Sequence, residues 1–170
     1  MGERAGMFRI VYVCTGNICR TPMAVALTYR KVLEENLEDI IEVDSVGVWA
    51  AEGAPASENT RKVCREQGLD CSHHRAKGVD LYTLKSADII LCMADKHKRD
   101  LLAVFPHYKD KIFTLREFAN PNPPQRTSID DPYGMKIEAY RKTFDEIARE
   151  IERFWNTLKE MALQKVKNTA

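Results

Sequence analysis

The sequence predicts an α/β fold: a doubly wound, four-stranded parallel sheet with helices on both faces, in a single domain. Two observations carry this. Short β-branched, apolar runs alternate along the chain with longer segments of helical periodicity, an order that implies parallel pairing through right-handed crossovers. The chain has 170 residues, 44% of them hydrophobic, which is the usual size of one domain and enough to bury a core without metal or disulfide staples. Residues 1–170 are therefore read as one domain, with 1–7 and 166–170 as flexible ends.

The first element is the continuous apolar run 8–13, as expected of a strand buried on both faces. It stops at Cys14. From Thr21 the pattern turns helical, with Pro22 in the first turn and Met23, Ala26, Leu27, Arg30 and Leu33 at helical spacing. Residues 41–46 read as a second strand, 57–67 as a helix closed by Gly68, and 87–93 as a third buried strand. A helix over 95–105 and a fourth strand over 112–115 follow. Residues 136 to about 165 form a long terminal helix with Phe144, Ile147, Ile151, Phe154, Trp155 and Leu158 on its apolar side. The Pro-rich, polar stretch 120–127 reads as a loop inside the domain.

Charge and cysteine usage narrow the function classes. The 26 Lys and Arg against 25 Asp and Glu leave a net charge of +1, so no global field favours nucleic acid or an anionic membrane, and neither is expected as a partner. The apolar run near the N-terminus is too short for a signal-peptide core, and no later segment approaches the roughly 20 apolar residues of a membrane span. A cytoplasmic location is expected. The five cysteines, Cys14, Cys19, Cys64, Cys71 and Cys92, are odd in number and lack C-x-x-C pairs; neither a disulfide framework nor a zinc site is indicated, and no cofactor is expected.

In a parallel sheet the functional crevice lies at the carboxyl ends of the strands, and the first strand ends in Cys14-Thr15-Gly16-Asn17-Ile18-Cys19-Arg20. A loop passing from a strand end into a helix N-terminus points backbone amides inward, a cradle for phosphate or sulfate. Gly16 and Asn17 are residue types that tolerate the positive φ of a tight turn. The same amides stabilise a thiolate at Cys14. Arg20, six positions on, presents a planar fork to two phosphate oxygens. Cys and Arg in this arrangement support attack of sulfur on phosphorus and hydrolysis of a thiophosphate. The plain alternative is a buried strand cysteine beside a solvated arginine. An ATP-binding loop is not supported, because its Gly-x4-Gly-Lys-Ser/Thr pattern is absent.

The stretch Val13-Cys14-Thr15-Gly16-Asn17-Ile18-Cys19-Arg20-Thr21-Pro22-Met23-Ala24 resembles the signature of low-molecular-weight protein tyrosine phosphatases. Val43-Asp44-Ser45-Val46-Gly47, Ser72-His73-His74-Arg75-Ala76, Asp88-Ile89-Ile90-Leu91-Cys92-Met93 and Asp130-Asp131-Pro132-Tyr133-Gly134 are similar to family segments in the family's order, so the likeness runs from about residue 8 to 155. It implies a metal-independent phosphatase with Cys14 as nucleophile, Arg20 as phosphate clamp and Asp131, before Pro132, as general acid and then base. Asp130 is the rival for that role. Thr21, Ser45 and His74, with Asn17, match positions that hold the loop by hydrogen bonds. Ile18, Trp49 and Tyr133 match the pocket walls, and Cys19 matches a cysteine able to close a reversible disulfide with the nucleophile. Two departures stand out: Thr21 where the family commonly has Ser, which keeps the hydroxyl, and Val25 where it commonly has Glu.

A deep aryl slot favours phosphotyrosine over the shorter phosphoserine. Ile18 bears on a second choice, since the family's arginine-phosphate branch tends to carry Thr there. The expected substrates are phosphotyrosine proteins, and residues 111–118 resemble bacterial members, which points by analogy to a bacterial tyrosine kinase. A protein arginine phosphatase is the nearest alternative. A thiol-dependent arsenate reductase would need further cysteines after Cys92, and a non-catalytic phosphopeptide-binding module would lack the nucleophile or the acid.

Overall fold

The structure, a computed structural model, describes residues 6–169. Four strands, β1 (Phe8–Cys14), β2 (Ile41–Gly47), β3 (Ile89–Cys92) and β4 (Ile112–Thr114), form one sheet in the order β2-β1-β3-β4. All pairs are parallel, with Ile10 opposite Val43 and Ile89, and Ile90 opposite Ile112. Between and after them lie α1 (Arg20–Glu34), α2 (Glu58–Glu66), α3 (Leu81–Ser86), α4 (Asp95–Val104) and α5 (Ile137–Thr169).

Side chains alternate across the central strands, so each strand feeds two cores. Ile10 and Tyr12 of β1 and Leu91 of β3 pack with Met23 of α1, Val63 of α2 and Phe154 of α5; Val11, Val13, Ile90 and Cys92 pack on the other face with Leu84 of α3 and Leu101 of α4. This double burial explains why β1 from Ile10 onward and β3 read as unbroken apolar runs rather than alternating ones. The Tyr12 phenol is buried and meets the Thr28 hydroxyl at 2.7 Å, so its polar end has a partner inside the core.

Three expectations are corrected. The third strand spans only Ile89–Cys92, because Ala87 instead caps the short helix α3, which the periodicity did not reveal. Asp80 starts that helix by accepting from the Thr83 backbone N–H at 2.8 Å. Residues 166–169, expected to be flexible, continue α5, and Met7 is buried. Lys165 joins these ends, its Nζ donating to the Met7 carbonyl at 2.7 Å and to Asp88 at 2.9 Å. Residues 1–5 and 170 of the expected flexible ends lie outside the described residues. No helix among the described residues is long and apolar enough to cross a membrane.

Candidate active site

β1 ends at Cys14 and α1 begins at Arg20, so the chain reverses over residues 15–19 at the carboxyl end of the sheet. The carbonyls in this turn are tied from outside. Cys14 O accepts from Val48 N–H at 3.0 Å, Thr15 O from Trp49 N–H at 2.9 Å, and Ile18 O from Ser57 N–H at 2.9 Å. Asn17 O meets His74 Nε2 at 2.6 Å, and Cys19 O accepts from the Thr60 hydroxyl at 3.1 Å. In a planar trans peptide the N–H points opposite to the C=O. Outward carbonyls therefore leave the amides of Thr15, Gly16, Ile18, Cys19 and Arg20 facing the concave side, a nest for an anion at the start of α1.

Asn17 is the keystone of the turn. It is fully buried at φ 58°, a left-handed conformation that asparagine tolerates. Its amide nitrogen donates to Thr21 Oγ1 at 2.7 Å and Ser45 Oγ at 2.9 Å, and its Oδ1 accepts from Lys77 N–H at 2.9 Å. Its own N–H points to Cys14 Sγ at 3.2 Å. Because Thr21 Oγ1 already accepts from Asn17, its hydroxyl proton is available to Cys14 Sγ, 3.2 Å away. Since a carbonyl only accepts, His74 Nε2 carries the proton it gives to Asn17 O; burial pulls the His74 pKa down, partly opposed by that bond.

β2 can approach this turn because it ends in Gly47. A Cβ there would lie 2.5 Å from Thr15 O and 3.0 Å from Asn17 N, both backbone atoms that cannot swing aside.

Arg20 closes the floor. Its side chain is only 2% exposed; NH1 donates to Ile129 O at 2.8 Å and NH2 stands 3.5 Å from Asp131 Oδ2. Its Nε is buried without a partner among the described residues. Asp131 is fixed in turn by Tyr133 N–H, 3.1 Å from Oδ1. Asp130 pairs instead with exposed Arg126 and takes no part in lining the cleft.

These groups face a cleft of about 310 Å³ lined by Cys14, Thr15, Gly16, Ile18, Cys19, Arg20, Trp49, Ala51, Ala54, Asp131 and Tyr133. Trp49 is 85% and Tyr133 67% exposed, so the two rings frame the mouth while Ile18 sits deeper. Among the described residues no cluster of three or more His, Cys, Asp or Glu is placed to hold a metal. The arrangement can seat a tetrahedral oxyanion against the Cys14 sulfur with a carboxyl group at its outer side.

All five cysteines are free thiols. Cys19 Sγ contacts Ser57 Oγ at 3.4 Å and Tyr140 OH at 3.7 Å, and burial pushes its thiol pKa up. Cys92 lies in the second core, and Cys64 and Cys71 touch at 2.8 Å behind α1, away from the cleft.

Two features escaped the sequence reading. Gly47 carried a visible signal, a glycine closing a strand. His97 carried none: it is completely buried on α4, its Nε2 2.8 Å from Thr15 Oγ1 and its Nδ1 3.1 Å from Ala94 N–H. Burial, then the nearby Arg20 and Lys96 charges, pull its pKa down to about 3.

The chain resembles known proteins over most of its length. A family model described as low molecular weight phosphotyrosine protein phosphatase matches residues 9–165. The chain is 40% identical to a protein-arginine-phosphatase of Geobacillus stearothermophilus, over 86% of this chain and 93% of that protein. It is 34% identical to the probable low molecular weight protein-tyrosine-phosphatase EpsP of Ralstonia solanacearum, over 84% and 90% respectively. The crystal structure of a low molecular weight protein tyrosine phosphatase from T. tengcongensis superposes with a TM-score of 0.80 at 40% identity, covering 88% of this chain and 99% of that one.

Proposed function

The chain belongs to the low molecular weight phosphotyrosine protein phosphatase family, and from that premise we propose that it hydrolyses phosphotyrosine on proteins through a phosphocysteine at Cys14. The observation that carries the reading is the anion nest with Cys14 Sγ at its floor, Arg20 buried beside it and Asp131 facing Arg20 at 3.5 Å.

The Cys14 thiolate attacks phosphorus; the S–P bond forms as the bond to the tyrosine oxygen breaks, and the inward amides with Arg20 take up the equatorial charge. Asp131 gives its proton to the departing phenolate oxygen. Its carboxylate then accepts a proton from a water whose oxygen attacks phosphorus, which breaks the S–P bond, returns the thiolate and releases inorganic phosphate. Thr21, Asn17, Ser45 and His74 hold the nest in shape while this happens.

Tyrosine is favoured by Ile18 in the depth of the cleft and by the Trp49 and Tyr133 rings at its mouth, which flank an aryl group. A second reading, hydrolysis of phosphoarginine, is favoured by the 40% identity to a protein-arginine-phosphatase. The substrates we infer are tyrosine-phosphorylated proteins, a bacterial tyrosine kinase among them, met by a single-domain enzyme in the cytoplasm. The test is release of phosphate from matched phosphotyrosine and phosphoarginine peptides by the metal-free protein. Faster release from phosphotyrosine, lost in Cys14→Ser, is the expected outcome; full activity in Cys14→Ser refutes the mechanism, and equal or faster release from phosphoarginine selects the second reading.

A further inference from the structure

We propose that His97 is a positioning residue of the phosphate-binding turn, acting through the Thr15 hydroxyl to hold the anion nest from the β3 side of the sheet. The proposal rests on the phosphatase reading above.

The direction of its hydrogen bonds is settled by their partners. Ala94 N–H donates, so His97 Nδ1 accepts at 3.1 Å and the neutral ring carries its proton on Nε2. That proton goes to Thr15 Oγ1 at 2.8 Å. A neutral imidazole is what a fully buried site beside the Arg20 charge requires. The reciprocal half of a helix capping pair is impossible, because Ala94 has no side-chain acceptor. Capping α4 therefore accounts for one ring nitrogen only, and the second is spent on the turn.

Topology gives that second bond its value. The carbonyl ties from Val48, Trp49, Ser57, Thr60 and His74 all come from chain that follows β2. β1 lies between β2 and β3, and α4 follows β3. His97 thus grips Thr15 from the flank those ties do not reach. Thr15 lines the cleft directly after the nucleophile, and its carbonyl is already held by Trp49. Fixing its side chain as well leaves the Thr15 and Gly16 amides no freedom to turn away from the anion. The start of α4 also holds the segment just before Asp131, since Asp95 N–H donates to Ser128 Oγ at 3.0 Å. The nest and the acid are thereby referred to one helix end.

Two substitutions at His97 separate the two bonds. His97→Asn keeps an oxygen at the Nδ1 position for Ala94 but falls short of Thr15, whereas His97→Gln carries an amide nitrogen to the reach of Nε2. Thr15→Val removes the hydroxyl without change of shape. Each protein is assayed with p-nitrophenyl phosphate, by melting temperature and by calorimetric titration with inorganic phosphate. His97→Asn and Thr15→Val should each lower kcat/KM and weaken phosphate binding roughly tenfold, as expected for one lost hydrogen bond. Their double variant should be no worse than either alone, and His97→Gln should regain most of the rate. If Thr15→Val keeps both kcat/KM and phosphate affinity within twofold, or if the losses multiply in the double variant, the proposal falls. Thr15→Val decides the matter should His97 variants fail to fold. A wild-type protein that binds phosphate without turning over p-nitrophenyl phosphate would defeat the phosphatase reading alone, and the titration would still judge the role of His97.

Discussion

The Thr21 hydroxyl stands 3.2 Å from the Cys14 sulfur and 2.7 Å from the Asn17 amide nitrogen, so one small side chain links the residue that shapes the turn to the atom that reacts. Asn17 can only donate there, which commits the hydroxyl proton to the sulfur. Thr21→Val should lower kcat for p-nitrophenyl phosphate about tenfold, on the order of one charge-assisted hydrogen bond, while Thr21→Ser stays within threefold. A rapid-quench measurement of phosphoenzyme formation should show the loss in the first step.

Asp131 and Asp130 are adjacent in sequence but differ in surroundings: one faces Arg20 across the cleft, the other pairs with Arg126 outside it. Asp131→Asn should slow hydrolysis of phosphotyrosine peptide by roughly a hundredfold, within the range of general acid catalysis. Asp130→Asn should stay within about threefold, as for an exposed ion pair. The reverse ranking in steady-state assays would move the acid to Asp130.

Ile18 lines the deeper part of the cleft with an apolar surface that an aryl ring matches better than a guanidinium. Ile18→Thr should reduce the ratio of phosphotyrosine to phosphoarginine kcat/KM by about tenfold, the scale of one buried apolar group changed in a pocket. A ratio unchanged by the substitution would remove Ile18 from the determinants of specificity.

His97 gives the protein an acid-sensitive element. Its pKa falls from the ordinary 6.5 to about 3 in the fold, so the unfolded chain binds the proton more readily. Its contribution is complete above about pH 6.5 and is lost progressively as the pH falls towards 3. Between pH 7 and 5 this amounts to about 2 kcal/mol. Urea unfolding of wild type and His97→Gln at both pH values should show a wild-type loss larger by about that amount; equal losses would contradict it.

Gly47 is needed for contact rather than for backbone freedom. Its missing Cβ would lie 2.5 Å from Thr15 O, so Gly47→Ala must push β2 from the turn. Activity should drop at least tenfold, on the scale of a 1 Å misplacement at a reacting site, with a loss of about 1–3 kcal/mol in stability as for overpacking. Phosphate binding by the folded variant distinguishes a displaced nest from a general loss of fold.

Most of the fold was legible because β1 and β3 are mainly apolar runs, β2 and β4 are short segments rich in β-branched residues, and α5 repeats its apolar face over many turns. α3 was hidden by its length: six residues hold too few apolar positions to show a period, and its one cue, Asp80 before Thr83, also occurs in plain turns. Cys14, Arg20 and Asp131 were visible as residue types in a local pattern. His97 was not, because nothing about a histidine near the start of an amphipathic helix tells which ring nitrogen faces a loop 82 positions away. Asn17 lies between: its tolerance of positive φ could be read, while its bonds to Ser45 and Lys77 exist only once β2 is in place.

Arg20 holds a positive charge almost out of contact with water, with one guanidinium nitrogen unmatched by any acceptor among the described residues and Asp131 only loosely opposed at 3.5 Å. A dianion settling in the nest completes that set of bonds, whether it arrives attached to a protein or free. Inorganic phosphate, the product of the proposed reaction, should therefore also stabilise the folded state by mass action. On the proposed reading the turnover rate is in this way linked to the phosphate level of the surroundings: where phosphate is abundant the enzyme should be sturdier and slower, and where it is scarce the same molecule should be quicker and easier to unfold.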